Sequence, residues 1–198
     1  SLDAVDKLLA GVGKLRSDRP ILTRRDWEWL NDSQLANDND LVEQPELTRV
    51  LFMYPRNEEG AAQVVREGRA VDRLLADSSS EASIILPFSI QRLHWHELFI
   101  SFKEKRVYHF EGFGEALSSN APLLATTIAE RFLSGGTGWQ LVSSSDVYQT
   151  DGHNCGVWLQ VARDCWLQYA ASSSYGSCNF FAFMQAQLVE HSVSDVES

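Results

Sequence analysis

The chain has 198 residues, 44% of them hydrophobic, with six tryptophans and ten phenylalanines; that is enough for one domain with its own core. Against 17 basic residues stand 27 acidic ones, a formal charge of −10, which excludes a phosphate-binding stripe and with it a nucleic-acid partner. Three cysteines without CxxC spacing exclude a disulfide framework and point to a reducing, intracellular address, cytoplasm or nucleus. No apolar run reaches the roughly eighteen residues of a membrane span, and no stretch of the sequence reads as a signal peptide, so neither a span nor a leader is expected within it.

In chain order, Leu2, Val5, Leu8, Leu9, Val12 and Leu15 recur at helical spacing, so an extension helix is expected over 1–19. The first residue is Ser rather than Met, as in a piece cut from a longer protein. Pro20 ends the extension, Ile21 and Leu22 suggest a short strand, and Thr23 with Asp26 caps a second helix carrying Trp27, Trp29 and Leu30. Residues 36–47 are acidic and polar and read as a solvated loop. An apolar run from Leu51 stops at Pro55. Over 58–76, Ala61, Val64, Val65, Ala70, Leu74 and Leu75 share one face, which predicts a surface helix.

The period then changes. Residues 83–87, 96–102 and 106–110 read as strands, the last two joined through Lys103-Glu104-Lys105. Helix is expected again over 120–133 up to Gly135-Gly136, then a strand at 139–142. Two further helices are expected at 153–170 and 178–190, followed by a polar tail, 191–198. Helices, a small central sheet and helices again make an α+β domain over 20–190.

The stretch with chemistry is Gln149-Thr150-Asp151-Gly152-His153-Asn154-Cys155-Gly156. A thiol at the first turn of a buried helix lies at the positive end of the helix dipole, which favours the thiolate nucleophile. Gln149 is placed to offer an amide donor to a developing oxyanion. Cys165 and Cys178 read as structural. A cysteine nucleophile needs a base and a group that orients it. His94 enters one strand of the hairpin and Glu111 leaves the other, so the two fall at the same edge of the sheet, where a carboxylate can hold the imidazole. His96 shares the parity of His94 and is the rival base, while His109 reads as a surface ring packing on its neighbour. An HxH pair with Cys155 also fits zinc, but no further ligand pair has the spacing, so neither a metal nor a cofactor is expected.

Trp29-Leu30-Asn31-Asp32, the strand at Ile85-Leu86-Pro87, His94-Trp95, Glu111, Gln149 and Cys155 follow one another in this order. The series resembles the Ulp1/SENP family of papain-like cysteine proteases, which remove ubiquitin-like proteins. Where that family usually has Asp, Tyr108-His109-Phe110-Glu111-Gly112-Phe113-Gly114 carries Glu and is closer to the adenovirus protease. Asn154 also stands where Asp is common.

The resemblance implies a papain-like, adenain-like fold with a small mixed sheet, flanking helices and the catalytic cysteine at a helix N-terminus. It implies Cys155 as nucleophile, His94 as base, Glu111 as its orienter and Gln149 as oxyanion donor. Trp29 and Trp95 would close over a narrow Gly-Gly tail, and Asp32 would meet a basic residue upstream of it. The implied partners are ubiquitin or a ubiquitin-like protein such as SUMO or NEDD8, in the host cytosol if the chain is a bacterial effector. Two alternatives stay open: a clan-related effector acetyltransferase using the same Cys, His and Glu, and a catalytically silent module that only binds a ubiquitin-like protein.

Overall fold

The computed structural model describes residues 42–43, 50–52, 57–78, 80–91, 94–146 and 155–197. The expected helices and strand of 1–30, with Trp29, and the positions of Asp32 and Gln149 lie outside them. The described residues fall into two compact units, one within Leu30–Cys155 and one within Gly156–Ser198.

The first unit is built on a six-stranded mixed sheet whose strands lie in sequence order. They are β1 (Val42–Glu43), β2 (Val50–Phe52), β3 (Ser83–Ile90), β4 (His94–Ser101), β5 (Arg106–Phe110) and β6 (Gln140–Ser143). Pairing is antiparallel for β1–β2, β3–β4 and β4–β5, and parallel for β2–β3 and β5–β6. The observed class is the expected α+β. β1 falls inside the acidic stretch read as loop: Val42 pairs with Phe52 and Glu43 with Leu51, so pairing with an apolar neighbour overrides the polar local composition.

Helices between the strands cover one face of this sheet. The stretch 58–76 forms two helices, α1 (Glu58–Glu67) and α2 (Arg69–Ala76), where one was expected. Asn57 caps α1, its Oδ1 accepting from the Gly60 N–H at 2.9 Å. Gly68 ends it: its N–H bonds back to Val64 O, and a Cβ there would stand 2.3 Å from that oxygen. The apolar spacing runs straight across this break, so periodicity alone does not reveal it.

Likewise 120–133 is divided. A short α3 (Leu117–Asn120) ends at Ala121, and α4 (Pro122–Ile128) opens on proline before widening into a π-helical turn, Ala129–Leu133. The residue before a proline is pushed out of the helical region, as Ala121 shows with φ −134° and ψ 66°.

Strand residues of even number on β3 and β4 and odd number on β5 point into this layer. Ile84, Leu86, Phe88, Leu98, Ile100 and Val107 make one core with residues of α1, α2, α3 and α4, Val65, Val71, Leu117 and Leu124 among them. At about 25 cal/mol per Å² of apolar surface removed from water, burial of this kind is what holds the helices on the sheet.

The second unit contains α5 (Cys155–Ala171) from Gly156 onward, and α6 (Phe180–Glu197). Trp166 packs against Tyr169, Tyr175 and Phe180, and the Tyr169 hydroxyl donates to Cys178 O at 2.6 Å. Cys165 is fully buried, and burial, then the adjacent Asp164, raises its pKa; it is a core residue, not a reactive thiol. α6 runs through His191 to Glu197, past its expected end near 190; no Gly or Pro interrupts that stretch. Among the described residues no helix is long and apolar enough to cross a membrane.

Candidate active site

Register explains why the titratable side chains meet. β4 and β5 pair so that Leu98 faces His109 and Glu97 faces Phe110. His94 and His96 on β4 therefore share a face with His109 and, one step past the end of β5, with Glu111. Each histidine of β4 meets a residue of the other chain segment diagonally: His94 meets Glu111, and His96 meets His109.

The first diagonal is an ion-pair geometry. His94 Nε2 lies 2.6 Å from Glu111 Oε1. The carboxylate also accepts from two N–H groups of its own turn, Phe113 N to Oε1 at 2.7 Å and Glu115 N to Oε2 at 2.8 Å. Burial pushes the Glu111 carboxyl up, but the His94 hydrogen bond and the Glu115 and Phe113 N–H groups outweigh it and hold the pKa below the ordinary value. An ionised Glu111 only accepts, so Nε2 of His94 carries the proton and donates. In the neutral ring the lone pair is then on Nδ1, the nitrogen turned away from the carboxylate bond.

The turn that presents Glu111 closes through Gly114 N–H to Glu111 O at 3.2 Å. Gly114 has φ +78°, and a Cβ there would come within 2.9 Å of Ser145 O; glycine is required. Phe113, 37% exposed, stacks on His94 with ring centroids 5.1 Å apart. The His94 side chain is 22% exposed and that of Glu111 fully buried, so the imidazole reaches solvent and the carboxylate does not.

The second diagonal differs. His96 Nδ1 lies 2.8 Å from His109 Nε2, and His109 Nδ1 lies 3.1 Å from Ser143 Oγ on β6. Both rings are fully buried. Burial, then His109, lowers the His96 pKa to about 3; burial, then His94, does the same for His109. This corrects two expectations. His109 is not a surface ring, because its odd position on β5 aims it into the core layer. His96 is not an alternative base: it is inaccessible, and its Nδ1 is already engaged.

The other expected residues are placed as follows. Trp95 is half-buried and pairs with Ser89, on the opposite face of β4 from His94. Cys155 is the first residue of α5; its side chain, like Trp29, Asp32 and Gln149, lies outside what the structure describes. Among the described residues no group of three or more His, Cys, Asp or Glu is disposed to hold a metal ion. Sequence reasoning missed the His96–His109–Ser143 chain and the Phe113 stack. Alternation of HxH on one strand against HxE on the next was the available signal.

No family model and no curated protein matches the sequence. Among solved structures, the chain is similar to the SUMO protease Ulp1 with its catalytic cysteine oxidised to a sulfenic acid (15% identity, TM-score 0.44, 96% of this chain and 93% of that one). It is similar also to the C-terminal Ulp1 protease domain in complex with SMT3, the yeast ortholog of SUMO (13%, TM-score 0.41, 96% and 93%). A third similar structure is the Xanthomonas campestris effector XopD bound to ubiquitin (14%, TM-score 0.45, 88% and 93%).

Proposed function

We propose that the chain is a thiol protease or isopeptidase that cuts after the C-terminal Gly-Gly of ubiquitin or a ubiquitin-like modifier, as a deubiquitinase or desumoylase. The observation that carries the reading is the 2.6 Å His94–Glu111 bond, with a buried carboxylate and a partly exposed imidazole. That arrangement fixes one tautomer of the ring and stabilises the imidazolium formed when the ring takes a proton. Cys155 at the start of a 17-residue helix supplies a thiol where the dipole favours its ionised form. Glutamate fills the third catalytic position, in the manner of the adenovirus protease.

In this mechanism His94 Nδ1 takes the thiol proton, and the Cys155 thiolate attacks the carbonyl of the terminal glycine. Gln149 and backbone N–H groups hold the oxyanion. The imidazolium then gives its proton to the departing lysine amine, leaving a thioester. Water, deprotonated by His94, attacks the thioester and releases the glycine carboxylate and the free thiol. Trp29 and Trp95 would admit only a tail without side chains, and Asp32 would pair with a basic residue before it. The action is placed in a cytoplasm or nucleus, that of a host if the chain is an effector.

A panel of ubiquitin, SUMO and NEDD8 vinyl-sulfone probes tests the reading. One probe is expected to add its mass to the protein at Cys155, and Cys155→Ala to abolish both labelling and cleavage of a Gly-Gly-linked fluorogenic substrate. Cleavage surviving in Cys155→Ala overturns the assignment. Intact wild-type protein that reacts with no probe and cleaves no such substrate overturns the function.

A further inference from the structure

We propose that the buried His96 and His109, with half-buried Ser143 behind them, form a positioning chain that sets the ring plane of His94, the base assigned under the proposed function on which this inference rests. Three strands contribute to it, and all three residues lie on the face that carries His94. Ser143 is the direct register partner of His109, and His96 is the diagonal partner.

Ser143 Oγ accepts the Leu117 N–H at 3.4 Å and bonds to His109 Nδ1, while His109 Nε2 bonds to His96 Nδ1. In either direction of the chain both nitrogens of His109 and Nδ1 of His96 are engaged. His96 Nε2 has no hydrogen-bond partner among the described residues although it is buried, an arrangement that costs stability. The surrounding face is Phe88, Leu98, Ile100 and Val107, where an apolar ring would pack without that cost. Stability alone does not explain two imidazoles here.

Geometry supplies the reason. His96 lies flat against Phe88, centroids 5.2 Å apart and planes 24° apart, and its ring is bonded edge to edge with His109, planes 21° apart. The ring is thus fixed in plane and in rotation. It meets His94 in an edge contact, centroids 5.0 Å apart at 79°. Phe113 holds the same His94 ring by stacking, and Glu111 holds Nε2. A flipped or tilted His96 would release the contact that keeps His94 upright over the carboxylate.

Two variants test this in the intact chain. His96→Phe keeps a flat ring against Phe88 and removes the bond to His109; Ser143→Ala removes the hydroxyl that holds His109 Nδ1. Among the described residues the titratable groups coupled to His96 are His94, His109 and Glu111, so ring resonances are followed by NMR against pH, together with turnover against pH. Both variants are expected to move the His94 titration midpoint and chemical shifts while the far-ultraviolet circular dichroism stays native. They are expected to lower kcat about tenfold with KM within about twofold, and His109→Gln added to Ser143→Ala, where His96 is still present to meet an amide N–H, to recover most of that variant's loss. A His94 titration unchanged in Ser143→Ala and His96→Phe overturns the proposal. A shifted titration in a protein that no ubiquitin-like probe labels keeps the positioning chain and overturns only the protease reading.

Discussion

The two ends of the β4–β5 hairpin each carry a polar cluster built on a different logic. At the turn, Arg106 and Tyr108 both reach Glu104: Tyr108 O–H donates to Oε1 at 2.8 Å and Arg106 Nη1 donates at 3.2 Å. These partners are two to four residues apart in sequence, so their bonds to one another close within a single turn. At the open end, His94 and Glu111 are 17 residues apart, and His109 and Ser143 are 34 apart. That cluster exists only once three strands are in register. The turn satisfies a cation with an anion; the open end buries neutral imidazoles beside a carboxylate. One is a lock for the hairpin, and the other spends stability to hold a ring.

Glu111→Gln tests the contrast most severely. An amide at this position can accept from His94 or satisfy the Glu115 N–H, but not both, because one of its two atoms is a donor. Turnover on a Gly-Gly-linked fluorogenic substrate is expected to fall on the order of a hundredfold or more, the range for a lost acid–base function. Unchanged turnover would remove Glu111 from the mechanism.

Acid titration of stability separates the two ends next. His96 and His109 sit near pKa 3 in the fold and near about 6.5 unfolded. Between those values the unfolded chain binds more protons, so stability is full above about pH 6.5 and falls as pH drops toward 3. Each histidine contributes a slope of up to about 1.4 kcal/mol per pH unit. Glu111, held below its ordinary value, adds loss in the same direction below about pH 4.3. Urea midpoints measured from pH 7 to pH 4.5 are expected to fall steeply for the wild type and less steeply for His96→Phe; parallel curves would place the histidines outside the coupled network.

Tyr108→Phe should be the mildest change. It removes the hydroxyl that donates to Glu104 and accepts from Arg106 Nη1 at 3.1 Å but leaves the Arg106–Glu104 bond, at a cost of about 1 kcal/mol, visible as a lower urea midpoint with turnover and acid slope as in the wild type. A large drop in turnover would show that the turn cluster also serves the site.

Legibility followed the range of the interactions. β5 was readable to the residue because Arg106 to Phe110 is a short run rich in β-branched and aromatic residues and a charged turn precedes it. The His94–Glu111 edge was readable because hairpin topology places a strand start beside its neighbour's end. The break at Gly68 was hidden under continuous apolar spacing although its cause is local, the approach of Val64 O; β1 was hidden under acidic composition, since it depends on pairing with β2. His109 was read as exposed because a histidine between Tyr108 and Phe110 does not announce which face is buried; parity with Glu111 held that information, and it required the register to be trusted across three strands.

The turn at Glu111 has a consequence for the entropy of the proposed reaction. A carboxylate tethered by two N–H groups of its own loop has its orientation settled when the chain folds, so none of that ordering is left for the moment a substrate arrives. Glutamate's additional methylene lets one carboxylate reach back to that loop and forward to His94 together. Aspartate on this backbone would have to give up one of the two, and the freedom it regained would be paid as disorder in the base.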